Sequence, residues 1–199
     1  LRWLAVLTGF GVGVGTLLYN EQAASVRRFY PDPEQATAYY AAIDLAVNGL
    51  TLLVQLVLTR ALLSRFGIAP ALLIPALGLV LGYAALAASP LPLLVAVVQV
   101  FTRASEFSLA KPARETIYTR VAREWRYKAG AAIDTVVYRG GDLTFVWLHK
   151  LLALAGPQAV FGAGLVVACG MTVGAVGVIR QARLLPEARP AEAPLPAAG

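Results

Sequence analysis

The sequence predicts an all-α, polytopic membrane protein with about six transmembrane helices. Of its 199 residues, 58% are hydrophobic and 14% are charged, whereas soluble domains usually carry about a quarter charged residues. The apolar residues form long runs without the alternation that is typical of membrane β-strands. Because lipid offers the backbone no hydrogen-bond partners, such runs are expected to cross the membrane as helices.

Six segments are long enough to cross a membrane. They cover residues 2–19, 37–60, 68–88, 91–111, 128–154 and 157–179. Each reaches the roughly 17 to 25 helical residues that a hydrocarbon core of about 30 Å requires. We therefore expect one six-helix transmembrane domain, residues 1–183, followed by a disordered cytoplasmic tail, residues 184–199. The connections are short except for residues 19–37 and the charged stretch between the fourth and fifth segments.

The first segment contains the run GFGVGVG, residues 9–15. Two glycine pairs in it have GxxxG spacing, which favours close packing against another helix. No strand precedes the run, so it is not a dinucleotide or phosphate loop. Because the segment lacks a clear cleavage site and five similar segments follow, we interpret it as a true span of a longer chain and not as a signal peptide.

Three of the predicted helices carry polar side chains along one face. The stripe on the second helix is Asp44, Asn48, Thr51 and Gln55. The stripe on the fourth is Gln99, Arg103 and Glu106. The stripe on the fifth is Lys128, Thr135, Arg139 and Asp142, with Asp134 about a third of a turn away. Spacings of three, four and seven residues place each set on a single helical face.

A charge at mid-membrane costs at least about 2.5 to 3.5 kcal/mol, so stripes of this kind indicate a shared polar cavity. The alternative is internal glue, in which Arg103 neutralises Glu106 and Arg139 neutralises Asp142 three residues along the same helix. The third and sixth predicted helices contain no charged residue. We expect those two helices to face lipid almost all round.

The distribution of lysine and arginine predicts the orientation. Twelve lie on the side that holds both termini: Arg2, Arg60, Arg65, Lys111, Arg114, Arg120, Arg123, Arg126, Lys128, Arg180, Arg183 and Arg189. Three lie on the opposite side: Arg27, Arg28 and Lys150. Because cytoplasmic loops are enriched in cations, both termini are expected in the cytoplasm of a cell with the protein in its inner membrane. The net charge of +6 then reflects topology and not nucleic-acid binding.

The stretch RASEFSLAKPARETIYTR, residues 103–120, is rich in charge. Pro112 has no N–H to donate to the carbonyl of Ser108, so the fourth helix is expected to kink or end there. Cations that gather at this cytoplasmic mouth attract anions, and arginine can bind a phosphate through two parallel hydrogen bonds. The alternative is that they only set the topology and bind anionic lipid headgroups.

Catalytic and metal motifs are missing from the sequence. The single cysteine, Cys169, excludes a disulfide framework and a paired-thiol redox motif. The single histidine, His149, lies beside Lys150 near the end of the fifth helix, where an interfacial role is the default. Because HExxH, GxSxG and Cys/His clusters are absent, we expect no enzyme activity, metal or cofactor.

Six helices with cytoplasmic termini, of which the third and sixth are apolar, resemble one half of a major facilitator transporter. In that family, these two positions of each half hold the outer, lipid-facing helices. The loop LLSRFGIAPAL, residues 62–72, is similar to a degenerate cytoplasmic motif of the family, without its usual acidic residue. The resemblance implies that the chain needs an N-terminal six-helix half, from a longer chain or a second copy.

Residues 106–142 carry a more specific resemblance. The segment EFSLAKPARETIYTRVAREWRYKAGAAIDTVVYRGGD is similar to a signature of the ATP/ADP translocases of plastids and intracellular bacteria. The matching positions are Phe107, Ser108, Leu109, Pro112, Glu115, Lys128, Ile133 and Asp134. Residues 140–143 read Gly-Gly-Asp-Leu where those carriers have Gly-Lys-Ser-Gly, so an anion replaces a phosphate-attracting cation. The resemblance implies transport of an anionic solute, with nucleotide exchange as one form of it.

The sequence therefore predicts half of a secondary transporter that moves an anionic solute by alternating access. The residues expected to bind the solute are Asp44, Asn48, Arg103, Glu106, Lys111, Arg114, Lys128, Asp134, Arg139 and Asp142. The alternative is a non-transporting membrane scaffold or assembly protein whose polar stripes are buried glue. A lipid-modifying membrane enzyme is a more distant alternative, because the chain lacks a nucleophile or metal set.

Overall fold

The computed structural model describes residues 2–119 and 130–184, with all side chains in these ranges except those of Thr119 and Asp134. They form six helices: α1 (Arg2–Phe29), α2 (Pro33–Val54, the π-helical turn Gln55–Thr59 and Arg60–Phe66), α3 (Ile68–Ala88), α4 (Pro92–Ser105, the π-helical turn Glu106–Ala110 and Lys111–Thr119), α5 (residues 130–132, the π-helical turn Ile133–Val137 and Tyr138–Ala153) and α6 (Pro157–Ala182). No strand occurs among the described residues, so the all-α prediction is confirmed. Lys128, the arginines at 120, 123, 126 and 189, and the predicted tail beyond Leu184 lie outside the described residues.

Five of the described helices, α1, α2, α3, α4 and α6, are long and apolar enough to cross a membrane. The part of α5 that the structure describes is more polar, since it carries Asp134, Arg139, Asp142 and Lys150. These helices are compatible with a multi-pass membrane protein.

The helices extend past the apolar runs that predicted them. The long connection expected at residues 19–37 is wrong, because α1 continues to Phe29 and α2 already begins at Pro33. Asp32 caps α2, where its side chain accepts a hydrogen bond from the Glu34 N–H at 3.3 Å. Pro33 suits the first helical position because its missing N–H is not needed there. Residues 20–29, most of which are polar, thus continue α1 beyond its apolar part.

The expectation that the third and sixth helices face lipid almost all round is wrong. Helix α6 packs against both α1 and α3 and supplies many residues of the core. Tyr83 of α3 is fully buried, and its hydroxyl donates to the Val14 carbonyl of α1 at 2.6 Å. Helix α2 is largely exposed instead, since only Ile43 and Val47 of its first 22 residues are buried. Absence of charge suits burial in protein as well as in lipid, and small residues let helices approach closely.

The helix contacts form a repeating pattern. Helix α1 packs beside α5 and α6, and α4 packs beside α2 and α3. In addition, α1 meets α4, α3 meets α6, α2 meets α3 and α5 meets α6. Exchanging α1, α2 and α3 for α4, α5 and α6 reproduces every one of these pairs. The same helix pairs therefore recur when the two three-helix units are exchanged.

Helix directions follow the same pattern. Helices α1 and α5 run the same way, because Thr16 contacts Asp142 and Glu21 contacts His149 further along both. Helices α2 and α4 also run the same way, with contacts between Asp44 and Arg103 and between Thr59 and Ser108. Helices α1 and α6 run in opposite directions, as do α3 and α4: Leu7 lies at Gly174 and Phe10 at Gly170, while Phe101 lies at Gly78 and Val98 at Gly82. When the two three-helix units are exchanged, parallel pairs therefore correspond to parallel pairs and antiparallel pairs to antiparallel pairs.

Candidate functional site

A cavity of about 490 Å³ lies between α1, α3, α4, α5 and α6. All five helices contribute to its apolar wall, which comprises Leu7, Val12, Leu72, Pro75, Leu79, Phe107, Ala110, Val146 and Met171. Its polar lining comprises Thr8, Thr16, Tyr19, Asn20, Thr102, Arg103, Ser105, Glu106, Arg114, Tyr138 and Asp142. Two arginines and two carboxylates of the described part of the chain therefore line the same cavity.

Helix α1 contributes eight of the residues that line this cavity, although its sequence predicted only a packing role. Three of its polar members, Thr8, Thr16 and Asn20, are eight and four residues apart and share one face of the helix. The stripes predicted on the second, fourth and fifth helices also contain neutral side chains, so the helical spacing of Thr8, Thr16 and Asn20 is a signal for this stripe too. The glycine run of the same segment indicates close helix packing instead, and that interpretation left the stripe out.

Arg103 of α4 contacts Asp44 of α2, with 2.5 Å between Nη1 and Oδ1. The side chains are 41% and 56% exposed, so the pair lies at the surface of the described bundle. Two predicted site residues are thereby joined across two helices. Arg103 also lines the cavity, whereas Asp44 lies at its edge and does not.

Glu106 and Arg114 form an ion pair within α4, across the π-helical turn Glu106–Ala110. Both residues line the cavity. The glue alternative expected Arg103 to neutralise Glu106, but each of these two residues has a different partner. The glue alternative paired residues three positions apart on one helix. The observed partner of Arg103 lies on another helix, and that of Glu106 lies eight residues along the same helix.

Asp142 of α5 accepts a hydrogen bond from the Thr16 hydroxyl of α1 at 2.7 Å, and both residues line the cavity. Arg139 does not pair with Asp142, contrary to the glue alternative. It is exposed on the outside of α5, and it contacts no acidic side chain that the structure describes.

The other predicted site residues lie apart from the cavity. Asn48 of α2 and Lys111 of α4 are exposed and do not line it. Asp134 belongs to the π-helical turn Ile133–Val137, but its side chain lies outside the described part, as does all of Lys128. Of the ten residues predicted, the structure brings Arg103, Glu106, Arg114 and Asp142 together at one cavity, with Asp44 attached through Arg103.

Helix α4 does not end at Pro112; it passes through a π-helical turn and continues to Thr119. Pro112 has no N–H, so the carbonyl of Ser108 lacks its usual helical donor. The hydroxyl of Thr59 donates to that carbonyl at 2.8 Å, and the Gln55 amide donates to the neighbouring Phe107 carbonyl at 3.2 Å. Two irregular turns of α2 and α4 therefore face each other and satisfy the freed backbone groups.

A second polar contact between α1 and α5 lies outside the cavity lining. The Nε2 atom of His149 is 3.0 Å from Oε2 of Glu21, and both residues are buried. The interfacial role predicted for His149 is therefore wrong. Glu21 had been assigned to a loop, since the apolar run ends before it. Helix α1 continues past residue 19, and this continuation brings Glu21 beside His149.

Metal-ligand geometry is absent from this part of the molecule, because no group of three or more His, Cys, Asp and Glu side chains in the described ranges could hold an ion. The cavity is instead suited to binding a charged or polar molecule through hydrogen bonds. Comparison of the chain with protein-family models, with curated proteins and with solved structures finds no match.

Proposed function

We propose that this chain forms one six-helix half of a secondary transporter that moves an anionic solute across a membrane by alternating access. The observation that carries this proposal is the cavity of about 490 Å³ lined by Arg103, Glu106, Arg114 and Asp142. Charged side chains are expensive within a membrane bundle and persist chiefly where they line a pathway or pair with each other.

An anionic solute is favoured because both arginines keep free donors. A guanidinium group has five N–H donors. Arg103 and Arg114 each direct one of their nitrogens to a single carboxylate oxygen, Asp44 Oδ1 and Glu106 Oε1. The remaining donors of each arginine can bind a carboxylate or a phosphate in the cavity. Nucleotide exchange of the ATP:ADP antiporter type, which the sequence resemblance implies, is the first case to test.

The equivalent packing of α1–α3 and α4–α6 supports a transporter architecture. Major facilitator halves contain two three-helix repeats of opposite orientation. Short connections between α1 and α2, α2 and α3, and α3 and α4 make successive helices antiparallel. Three reversals then place α4 opposite in direction to α1, as an inverted repeat requires.

A partner bundle would cover the exposed polar face of α2 and α5. Asp44, Asn48 and Arg139 are all exposed there. Polar side chains facing hydrocarbon are costly, so these residues are better placed against a second six-helix half. We propose that this half comes from the same polypeptide or from a second copy of the chain.

The competing proposal is a non-transporting membrane scaffold or assembly protein. The pairing of Arg103 with Asp44 and of Arg114 with Glu106 favours it, since each arginine already has a counter-charge. Reconstitution of the full-length protein in proteoliposomes distinguishes the two proposals. We expect proteoliposomes preloaded with the same unlabelled anion to take up at least one radiolabelled anion from a panel of ADP, ATP, phosphate and dicarboxylates, since an exchanger needs an internal substrate. A scaffold gives uptake equal to that of protein-free liposomes for every anion.

The proposed orientation has both termini in the cytoplasm of a cell with the protein in its inner membrane. A Glu34→Cys variant should react with an impermeant thiol reagent in intact cells, whereas Ser64→Cys should not, both in a Cys169→Ala background. Both substituted positions are exposed at helix ends, so accessibility to water does not differ between them. Labelling of Ser64→Cys alone reverses the orientation inferred from the excess of cations.

A further inference from the structure

Two ionisable side chains are buried away from the cavity, Glu21 on α1 and His149 on α5. They are 4% and 9% exposed, and no other acidic, basic or histidine side chain in the described ranges is buried. His149 Nε2 lies 3.0 Å from Glu21 Oε2, which joins the two helices. A buried carboxylate and imidazole in contact are the groups that proton pathways in membrane transporters use.

The surroundings of this pair supply little counter-charge. Helix α3 has no charged residue, nor has α6 before Arg180, nor α4 before Arg103. Tyr83, the buried phenol of α3, donates a hydrogen bond to a backbone carbonyl. The charged residues nearest in sequence at this end of the bundle are all exposed: Arg27, Arg28, Asp32, Glu34 and Lys150. None of them forms an ion pair with Glu21 or His149, and Lys150 lies over the Trp147 ring.

The pair lies on the same seam between α1 and α5 as the cavity contact of Thr16 with Asp142. Glu21 follows Thr16 by five residues and His149 follows Asp142 by seven. At about 1.5 Å per helical residue, the pair is roughly 7 to 10 Å from the cavity contact. A movement that separates α1 from α5 would therefore change the cavity and the pair together.

We propose that Glu21 and His149 together bind one proton, and that this proton is the coupling ion of the transporter. The inference rests on the proposed transport function. With one proton bound, the pair is neutral overall, either as carboxylate and imidazolium or as carboxylic acid and imidazole. Without it the pair carries a net charge of −1, which is costly in a buried site.

Release of the proton follows from hydration. Separation of α1 from α5 would give the carboxylate and the imidazole access to water. The proton enters the pair from water on one side of the membrane and leaves to water on the other, so no further reactant is needed. If the contact were only structural, the pair would hold the two helices together without gaining or losing a proton.

Infrared pH-difference spectra of the full-length protein in lipid test proton binding without any transported solute. We expect the native protein to show a carboxyl or imidazole protonation signal that Glu21→Gln and His149→Gln both lose. Glu34→Gln, which changes an exposed acid at the same end of the bundle, should keep it. Each variant retains a hydrogen-bonding side chain, and monodispersity in detergent shows that it has folded. A signal unchanged in either folded variant of the pair overturns the proposal.

Uptake measurements test the coupling. Proteoliposomes with a clamped membrane potential and an interior about one pH unit more alkaline should accumulate labelled ADP up to about tenfold. One proton entering with each ADP supplies about 1.4 kcal/mol from that gradient, which corresponds to a factor of ten. In Glu21→Gln the ratio of uptake with and without the gradient should fall to about one. Native uptake that ignores the gradient overturns proton coupling. Failure of the native protein to move ADP under any condition counts instead against nucleotide transport, and the infrared result still decides whether the pair binds a proton.

Discussion

Replacing Arg114 with alanine is expected to reduce uptake of the transported anion about tenfold to a hundredfold, because a hydrogen bond to a charged group contributes about 1.5 to 3 kcal/mol. Arg114 lines the cavity and pairs with Glu106, so it has donors available for a solute. The measurement is the initial rate of labelled-anion uptake by the reconstituted full-length protein, normalised to the amount of inserted protein.

The double variant Arg114→Ala with Glu106→Ala separates a solute-binding role from ion-pair glue. If Arg114 serves only to neutralise Glu106, removing both charges restores stability and activity, since no uncompensated charge remains. If Arg114 binds the solute, the double variant stays inactive although it folds. Arg65→Ala is a suitable control, because Arg65 is an exposed cation at the end of α2 and does not line the cavity. Equal losses in Arg65→Ala and Arg114→Ala would contradict the assignment.

The sequence was sufficient to predict α1, α2, α3, α4 and α6 because each contains a long apolar run, and hydrophobic length is a local property. Helix ends were less predictable. Residues 20–29 of α1 mix polar and apolar side chains, so hydropathy alone does not mark them as part of the helix. Glu21 was missed for this reason, since a polar residue beyond an apolar run could equally belong to a loop.

The charged members of the candidate site were largely predictable, because charge within an apolar run is conspicuous. Their partners were not. Arg103 contacts Asp44, 59 positions away, and Thr16 contacts Asp142, 126 positions away. Such pairs depend on how helices are arranged, which helical periodicity within one segment does not specify. The same limit explains the wrong environment assigned to α3 and α6, since an uncharged helix fits lipid and a protein core equally well.

The packing of α6 against α3 gives the largest expected effect on stability. A Cβ atom added at Gly164 would lie well inside van der Waals contact with the Tyr83 ring. That ring is fully buried and is held by the bond from its hydroxyl to Val14, so it cannot move aside at low cost. We expect Gly164→Ala to destabilise the bundle by about 1 to 3 kcal/mol or more, as overpacked cores do. The measurement is the thermal unfolding midpoint of the full-length protein in detergent.

Gly162→Ala is the matched control, because Gly162 belongs to the same helix and a Cβ there meets nothing within 4 Å. Alanine is a better helix former than glycine, so this control should leave stability unchanged or raise it by up to about 1 kcal/mol. Combining Gly164→Ala with Tyr83→Leu should cost less than the sum of the two single changes, because the smaller side chain leaves room for the new methyl group. Additive effects, or equal midpoints for Gly164→Ala and Gly162→Ala, would show that α3 and α6 do not pack through Tyr83. The core position of α6, and with it the equivalence of the two three-helix units, would then be wrong.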